Sequence, residues 1–436
     1  MQEVPLIKVN EKIPKFFNNF FLIGAFLLPS AFTLGTVILL TCVFYGVFIS
    51  KGYFKDKLNK IFFVAGIFLI ISAFVHSNFN DYLSEYRINH ELSWIGLANW
   101  IPFFLCFWGF QPYLNSNIKR RRTEIALIAG TLPVIITGIG QSFFNWHGPM
   151  DTLNGLIIWY QRPLNGITGL TGLFNNPNYA GAWLAMIWPF LLSYLSQKRK
   201  NSPKFEFITV FALSILFVAA ISLINSRGAF LGALASIPLV FGQGVIFWFL
   251  PIVSLTFLSI FICTLPTAPE NIKSIICFLI PNNILTNFNE LTFRIENLPR
   301  VIIWGKAFNL IAQKPFFGWG AATFPILYFS QYGDWKGHPH NLFLELSISY
   351  GLVTSLLIFT FIAILLIKTF KKIYVEKISG NYFERAWYTS IVVFLILHSF
   401  DIVYFDARIS LLLWILLAGL KGVLNQTKNL ESIKKQ

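Results

Sequence analysis

The sequence predicts an all-α polytopic membrane protein of about 12 transmembrane helices, and three observations carry that expectation. First, 55% of the 436 residues are hydrophobic and only 12% charged, with a mean hydropathy of +0.63. Second, the apolar runs repeatedly reach the roughly 20 residues that a helix needs to cross a bilayer. Third, the charges gather in short clusters between those runs instead of marking one face of amphipathic helices. A P-loop and a Rossmann glycine fingerprint are both missing, so nucleotide-driven chemistry has no visible site. A single integral membrane domain, residues 1–436, is therefore expected.

In chain order the expected spans lie near 16–31, 32–50, 60–76, 93–113, 124–145, 179–196, 207–224, 228–242, 244–263, 341–367, 386–401 and 409–421. The first apolar stretch, 16–50, is too long for the core of a signal peptide and suits two helices turning near Pro29 and Ser30, so the N-terminus should stay attached. Placing it in the cytoplasm collects Lys51, Lys55, Lys57 and Lys60, the run Lys119 to Arg122, Lys198 to Lys200 and the cluster from Lys368 on the inner side. Only ten of the 34 basic residues then fall outside, as positive-inside topology requires. Both termini are expected in the cytoplasm. The net charge of +15 is thus a topology signal that implies membrane lipids as partners and not nucleic acid. The four cysteines show no metal spacing, and a Cys263–Cys277 bridge on the oxidising outer side is one open arrangement.

One connection breaks the pattern of short loops. Residues 264–340 form a long outer segment, and long ordered loops are usually functional. Its piece SIICFLIP, Ser274 to Pro281, is too short to span and suits either an interfacial position or a dip into the membrane. Next comes PRVIIWGKAFNLIAQKP, where Arg300, Trp304, Phe308 and Ile311 recur at helical spacing and would share one stripe of an interfacial helix. Trp304 in the headgroups with Arg300 on a lipid phosphate would also account for that stripe.

The loop ends in GHPHNLFLEL. Pro339 suits the first turn of the tenth span, with His340 at the water boundary. Asn341 and Glu345 are four apart on one helix face, which carries the carboxylate about one turn into the membrane, where it would be costly unpaired. His338 precedes the helix. Further polar residues gather at the same side: FNNPNYAG with Asn178, which could equally cap a helix; NSRGAF with Arg227, which could equally be a snorkelling turn residue; and HSFDIVYFDAR, where Asp406 and Arg408 suit a local ion pair.

These blocks, FNNPNYAG, SRGAFLG, RVIIWGKAFNLIAQKPFFGWG, HPHNLFLELSISYGL and HSFDIVYFDAR in that order, resemble the O-antigen ligase and polymerase superfamily, the Wzy/WaaL-type membrane glycosyltransferases. The resemblance implies a helical GT-C-like fold in the bacterial cytoplasmic membrane, with residues 264–340 covering a cavity for a polyprenyl-diphosphate-linked glycan donor and a glycan or lipid acceptor. It implies that Arg227 and Arg300 are catalytic, with Arg294 as a further cation, because guanidinium forks can neutralise a departing diphosphate with no metal or cofactor. It implies that His340 activates the acceptor hydroxyl, oriented by Glu345 or Asn341, in a single inverting displacement. Asn178, Trp304, His338, Asn341 and Glu345 would line the substrate. Relatives ligate glycans to lipid A core, polymerise repeat units or glycosylate proteins. A further branch, described as bicarbonate transporters, is the alternative; it lacks the HN histidine, whereas HPHN is intact here.

Overall fold

A computed structural model describes residues 13–78, 91–155, 157–159, 161–164, 169–201, 203–265, 267–278, 280, 285, 299–376 and 381–434. The chain is an all-α multi-pass membrane protein. Its helices are α1 (Lys15–Leu27), α2 (Phe32–Ile49), α3 (Lys57–Asn78), α4 (Glu91–Ile95), α5 (Ile101–Leu114), α6 (Asn117–Phe144), α7 (Pro177–Asn201), α8 (Lys204–Ile224), α9 (Arg227–Phe241) and α10 (Gln243–Thr264). They continue as α11 (Glu270–Cys277), α12 (Pro299–Gln313), α13 (Phe324–Tyr332), α14 (Leu342–Tyr350), α15 (Leu352–Phe370), α16 (Tyr382–His398) and α17 (Ala407–Lys434). Among the described residues the one sheet is a hairpin of β1 (Met150–Thr152) and β2 (Ile157–Trp159), with Met150 opposite Trp159.

Nine segments among the described residues are long and apolar enough to cross a membrane, and α1 and α9 are shorter apolar helices. A helix stands at each of the twelve expected span positions. The bundle centre is built from α7, which packs on α9 and α16, and from α17, which packs on α5. These two spans are 78% and 89% buried, whereas α10 is 6% buried and runs at the rim. A Cys263–Cys277 disulfide, with Cα atoms 5.7 Å apart, ties α10 to the short helix α11.

The core is aromatic. The ring of Phe62 stacks on Phe104 at 4.6 Å and lies within 5.5 Å of Phe107, Phe361 and Trp414, joining α3, α5, α15 and α17. Helices α2 and α5 approach so closely that a Cβ on Gly46 would strike the Gly109 carbonyl, the small-residue contact that lets membrane helices pack without a hydrophobic drive between them. At the end away from the long loop, buried Arg120 pairs with Glu384 at 3.6 Å, and Trp387 donates to Glu124 at 2.6 Å. A charge buried there is tolerable because it is paired.

The structure departs from the sequence expectation in three places. The tenth span is not continuous: α14 stops after nine residues and the chain kinks at Gly351, whose φ is +88°. The cause is the loop segment before it. The Trp319 and Gly320 amides donate to the carbonyls of Ile348 and Ser349 at 2.7 and 3.0 Å, and the Leu352 amide donates to Pro315 at 2.7 Å. The loop thereby satisfies carbonyls that a broken helix would leave bare. The eleventh span ends at His398, so Asp401 lies in the following turn. Finally, the buried face of α12 is Ile303, Ala307, Leu310 and Ile311, while Arg300 and Phe308 are exposed. That face packs with Trp319, Phe324, Leu327, Leu344 and Ile348 as a small second core. The expected stripe was offset because α12 buries its Ile303–Ala307 side against protein.

Candidate functional site

Four chain segments meet where α7, α9, α14 and α17 begin and α16 ends. At the centre is the HPHN turn. His340 has φ +52°, a left-handed conformation uncommon for a side chain with a Cβ although tolerated by histidine. Asn341, not Pro339, starts the helix: its side chain accepts from the Leu344 amide at 3.1 Å, an N-cap bond. Asn341 also donates to the Ser399 carbonyl at 3.3 Å, linking α14 to the turn after α16.

That turn supplies Asp401. Its Oδ1 lies 3.2 Å from His340 Nδ1 and 3.7 Å from His338 Nε2. Its Oδ2 accepts from Asn178 Nδ2 at 2.8 Å, and the Ile402 amide donates to Oδ1 at 2.9 Å. The imidazoles of His338 and His340 are 4.2 Å apart, and His338 Nδ1 accepts the His340 amide proton at 3.2 Å. The three side chains are partly open, 34%, 33% and 22% exposed for His338, His340 and Asp401. Burial lowers the His338 pKa, with the His340 ring and the Arg300 charge acting in the same direction against Asp401. For Asp401 burial works upward, yet the His340 bond, the Ile402 amide and the two imidazoles together hold the carboxyl below its ordinary value. Asp401 therefore stays a carboxylate, placed to orient the His340 ring through Nδ1.

The expected site residues are distributed around this centre. Arg300 stands at the start of α12, exposed and near enough for its charge to act on His338. Trp304, one turn on, donates from Nε1 to the Pro339 carbonyl at 3.0 Å and has its ring 6.4 Å from Phe400, so it clamps α12 to the HPHN turn and to the Asp401 turn. Arg227 is the first residue of α9, exposed. A Cβ on the adjacent Gly228 would stand 3.4 Å from Leu397, which puts that helix start beside the end of α16. Asn178 does not cap α7; Asn176 does so, accepting the Asn178 amide at 2.8 Å, and this frees the Asn178 side chain for Asp401. Glu345 turns inward: it is buried and accepts from Ser349 at 3.0 Å. Asp406 and Arg408 form the expected local pair, with Arg408 Nε donating at 2.9 Å. Arg294 lies outside the described residues.

Asp401 is the residue that sequence reasoning did not select. Its signal was a carboxylate in the turn between two apolar helices, on the same side as the HPHN motif. Beside the cluster a cavity of about 420 Å³ opens between the start of α2, the hairpin and residues 405–408, lined among others by Phe32, Asn175, Tyr179, Phe405 and Arg408. Tyr179 is the neighbour of Asn178 in α7, so cavity and cluster share one short segment. Of the groups present, His338, His340 and Asp401 offer ligand atoms within 4.8 Å of one another.

Residues 212–359 match the family model described as O-antigen ligase (Wzy_C). The matched segment runs from within α8 into α15 and contains Arg227, Arg300, Trp304, His338, His340, Asn341 and Glu345; Asn178 and Asp401 lie outside it. This central segment of a multi-pass membrane protein is thus similar to the O-antigen ligase family. No curated protein matches the chain.

Proposed function

We propose that the chain transfers a glycan from a polyprenyl-diphosphate-linked donor to an acceptor hydroxyl on the outer face of the bacterial cytoplasmic membrane, in one inverting displacement without a metal. His340 is the general base. Asp401 holds its Nδ1, which leaves Nε2 to take the acceptor proton as the hydroxyl attacks the anomeric carbon. Arg227 and Arg300, with Arg294 as a further cation, carry the two negative charges of the departing polyprenyl diphosphate. The active side faces outward, with both termini in the cytoplasm.

The observation that carries this reading is the pairing of His340 with Asp401 at 3.2 Å beside the charge of Arg300. The family match supports an O-antigen ligase-type activity in general. The cavity of about 420 Å³ next to the cluster is wide enough for sugar and is walled by aromatic and polar side chains. The test is reconstitution of the purified protein with lipid-linked glycan and candidate acceptors in the presence of a chelator. Consumption of the donor with formation of a glycosidic bond of opposite configuration is the expected result. Solute uptake by the same vesicles without any glycan, and no donor consumption, would place the chain with the transporters instead.

A further inference from the structure

The first histidine of HPHN, His338, has no part in that transfer scheme, yet it faces the same carboxylate oxygen as His340. His338 Nε2 and His340 Nδ1 stand 3.7 and 3.2 Å from Asp401 Oδ1. Ligand atoms bound tetrahedrally at about 2.0–2.1 Å from a zinc ion are about 3.3–3.4 Å apart, so the two histidine–carboxylate separations are close to those of a metal-bound set, and with all three ligand atoms within 4.8 Å of one another a small side-chain turn closes the rest. Two imidazoles and one carboxylate are also the ligand types that first-row divalent metals select.

We propose that His338, His340 and Asp401 form a binding site for a divalent transition-metal ion of the zinc type, and that the ion inhibits the protein reversibly. Two features beyond the ligand set favour this. The carboxylate is already oriented by Asn178 at 2.8 Å and by the Ile402 amide at 2.9 Å, the outer-shell support that metal ligands generally need. The partial exposure of all three side chains leaves room for water to complete the coordination. The charge of Arg300, close to His338, works against the ion. Binding also gives up one bond: with the metal on Nε2 the ring proton of His338 moves to Nδ1, which then no longer accepts the His340 amide.

The inhibition rests on the reading of His340 as the base. Metal on Nδ1 leaves the ring's remaining proton on Nε2, so that nitrogen has no lone pair for an acceptor hydroxyl. The ion would therefore silence the base without changing the covalent structure, and a chelator would restore it.

The experiment is a calorimetric titration of the tag-free full chain in detergent with Zn²⁺ after chelator treatment, followed by donor-consumption assays with and without Zn²⁺. One ion per chain is expected. His338→Ala and His338→Gln should each weaken binding by more than the roughly 10–100-fold expected of Asn178→Ala, while His147→Ala, at an exposed histidine elsewhere, should leave it unchanged. In both His338 variants, if monodisperse, added Zn²⁺ should leave donor consumption at that variant's own metal-free rate, whereas it should lower the wild-type rate. Absence of stoichiometric binding, or equal affinity in wild type and both His338 variants, would overturn the site. Because calorimetry needs no glycan, a bound ion in a protein that transfers nothing would sink the transfer reading alone, and an active protein that binds no ion would sink only the metal site.

Discussion

Nδ1 of His340 lies 3.2 Å from Oδ1 of Asp401 although 61 positions separate the two residues, and that contact joins the start of α14 to the turn after α16. If Nε2 is the base, removing the ring should cost the whole proton transfer. His340→Ala should lower donor consumption by about 10²–10⁴-fold while donor binding persists, because the arginines hold the diphosphate. Asp401→Asn keeps the shape and removes the charge, and should lower the rate in the same direction. A gel assay of lipid-linked glycan reads both, and a His340→Ala protein of unchanged rate would end the base assignment.

Asn178 acts through Asp401. Losing one hydrogen bond to a charged group is worth about 1.5 kcal/mol, or roughly tenfold in rate. Asn178→Ala should thus fall between wild type and Asp401→Asn, and combining it with Asp401→Asn should add little, since both remove the same support.

Each arginine should matter separately. Arg227→Ala and Arg300→Ala, at normal membrane levels, should each lose most activity, and lysine should restore little of it because an ammonium lacks the planar fork. Full rescue by Arg300→Lys would reduce that residue to a point charge.

The kink at Gly351 can be tested without any substrate. A Cβ there would meet the Phe316 carbonyl, and φ is +88°. Gly351→Ala should cost at least about 1–3 kcal/mol from backbone strain and lower the thermal midpoint in detergent. Gly305→Ala, in helix α12 with nothing near its Cβ position, should be neutral or stabilising by about 0.5–1 kcal/mol.

Sidedness has a direct test because the native cysteines interfere little: Cys42 and Cys106 are buried and the other two are bonded to each other. An impermeant maleimide added to intact cells should label Trp335→Cys and spare Lys371→Cys, both exposed positions. The opposite pattern would invert the topology.

The helical spans were legible from hydropathy, since a bilayer forces helices to spanning length. The pairings were not. Asn341 and Glu345 share a helix face by spacing, which suggested one of them as the partner of His340, but Glu345 points to Ser349 and the partner came from 61 residues away. Local periodicity also could not reveal that the PFFGWG segment would hydrogen-bond the end of α14 and break the tenth span. Likewise the α12 stripe was drawn through Arg300 and Phe308, because sequence spacing identifies faces but not which one another segment will cover.

The bonds from Trp319, Gly320 and Pro315 to the ends of α14 and α15 fix the loop on its C-terminal side, and Trp304 fixes it again at Pro339. Arg300 is consequently registered against His340 by residues 299–352 alone. The length of the chain between Cys277 and Pro299 is thereby uncoupled from the distance between Arg300 and His340, so an insertion there would lengthen the loop without moving that cation from that base.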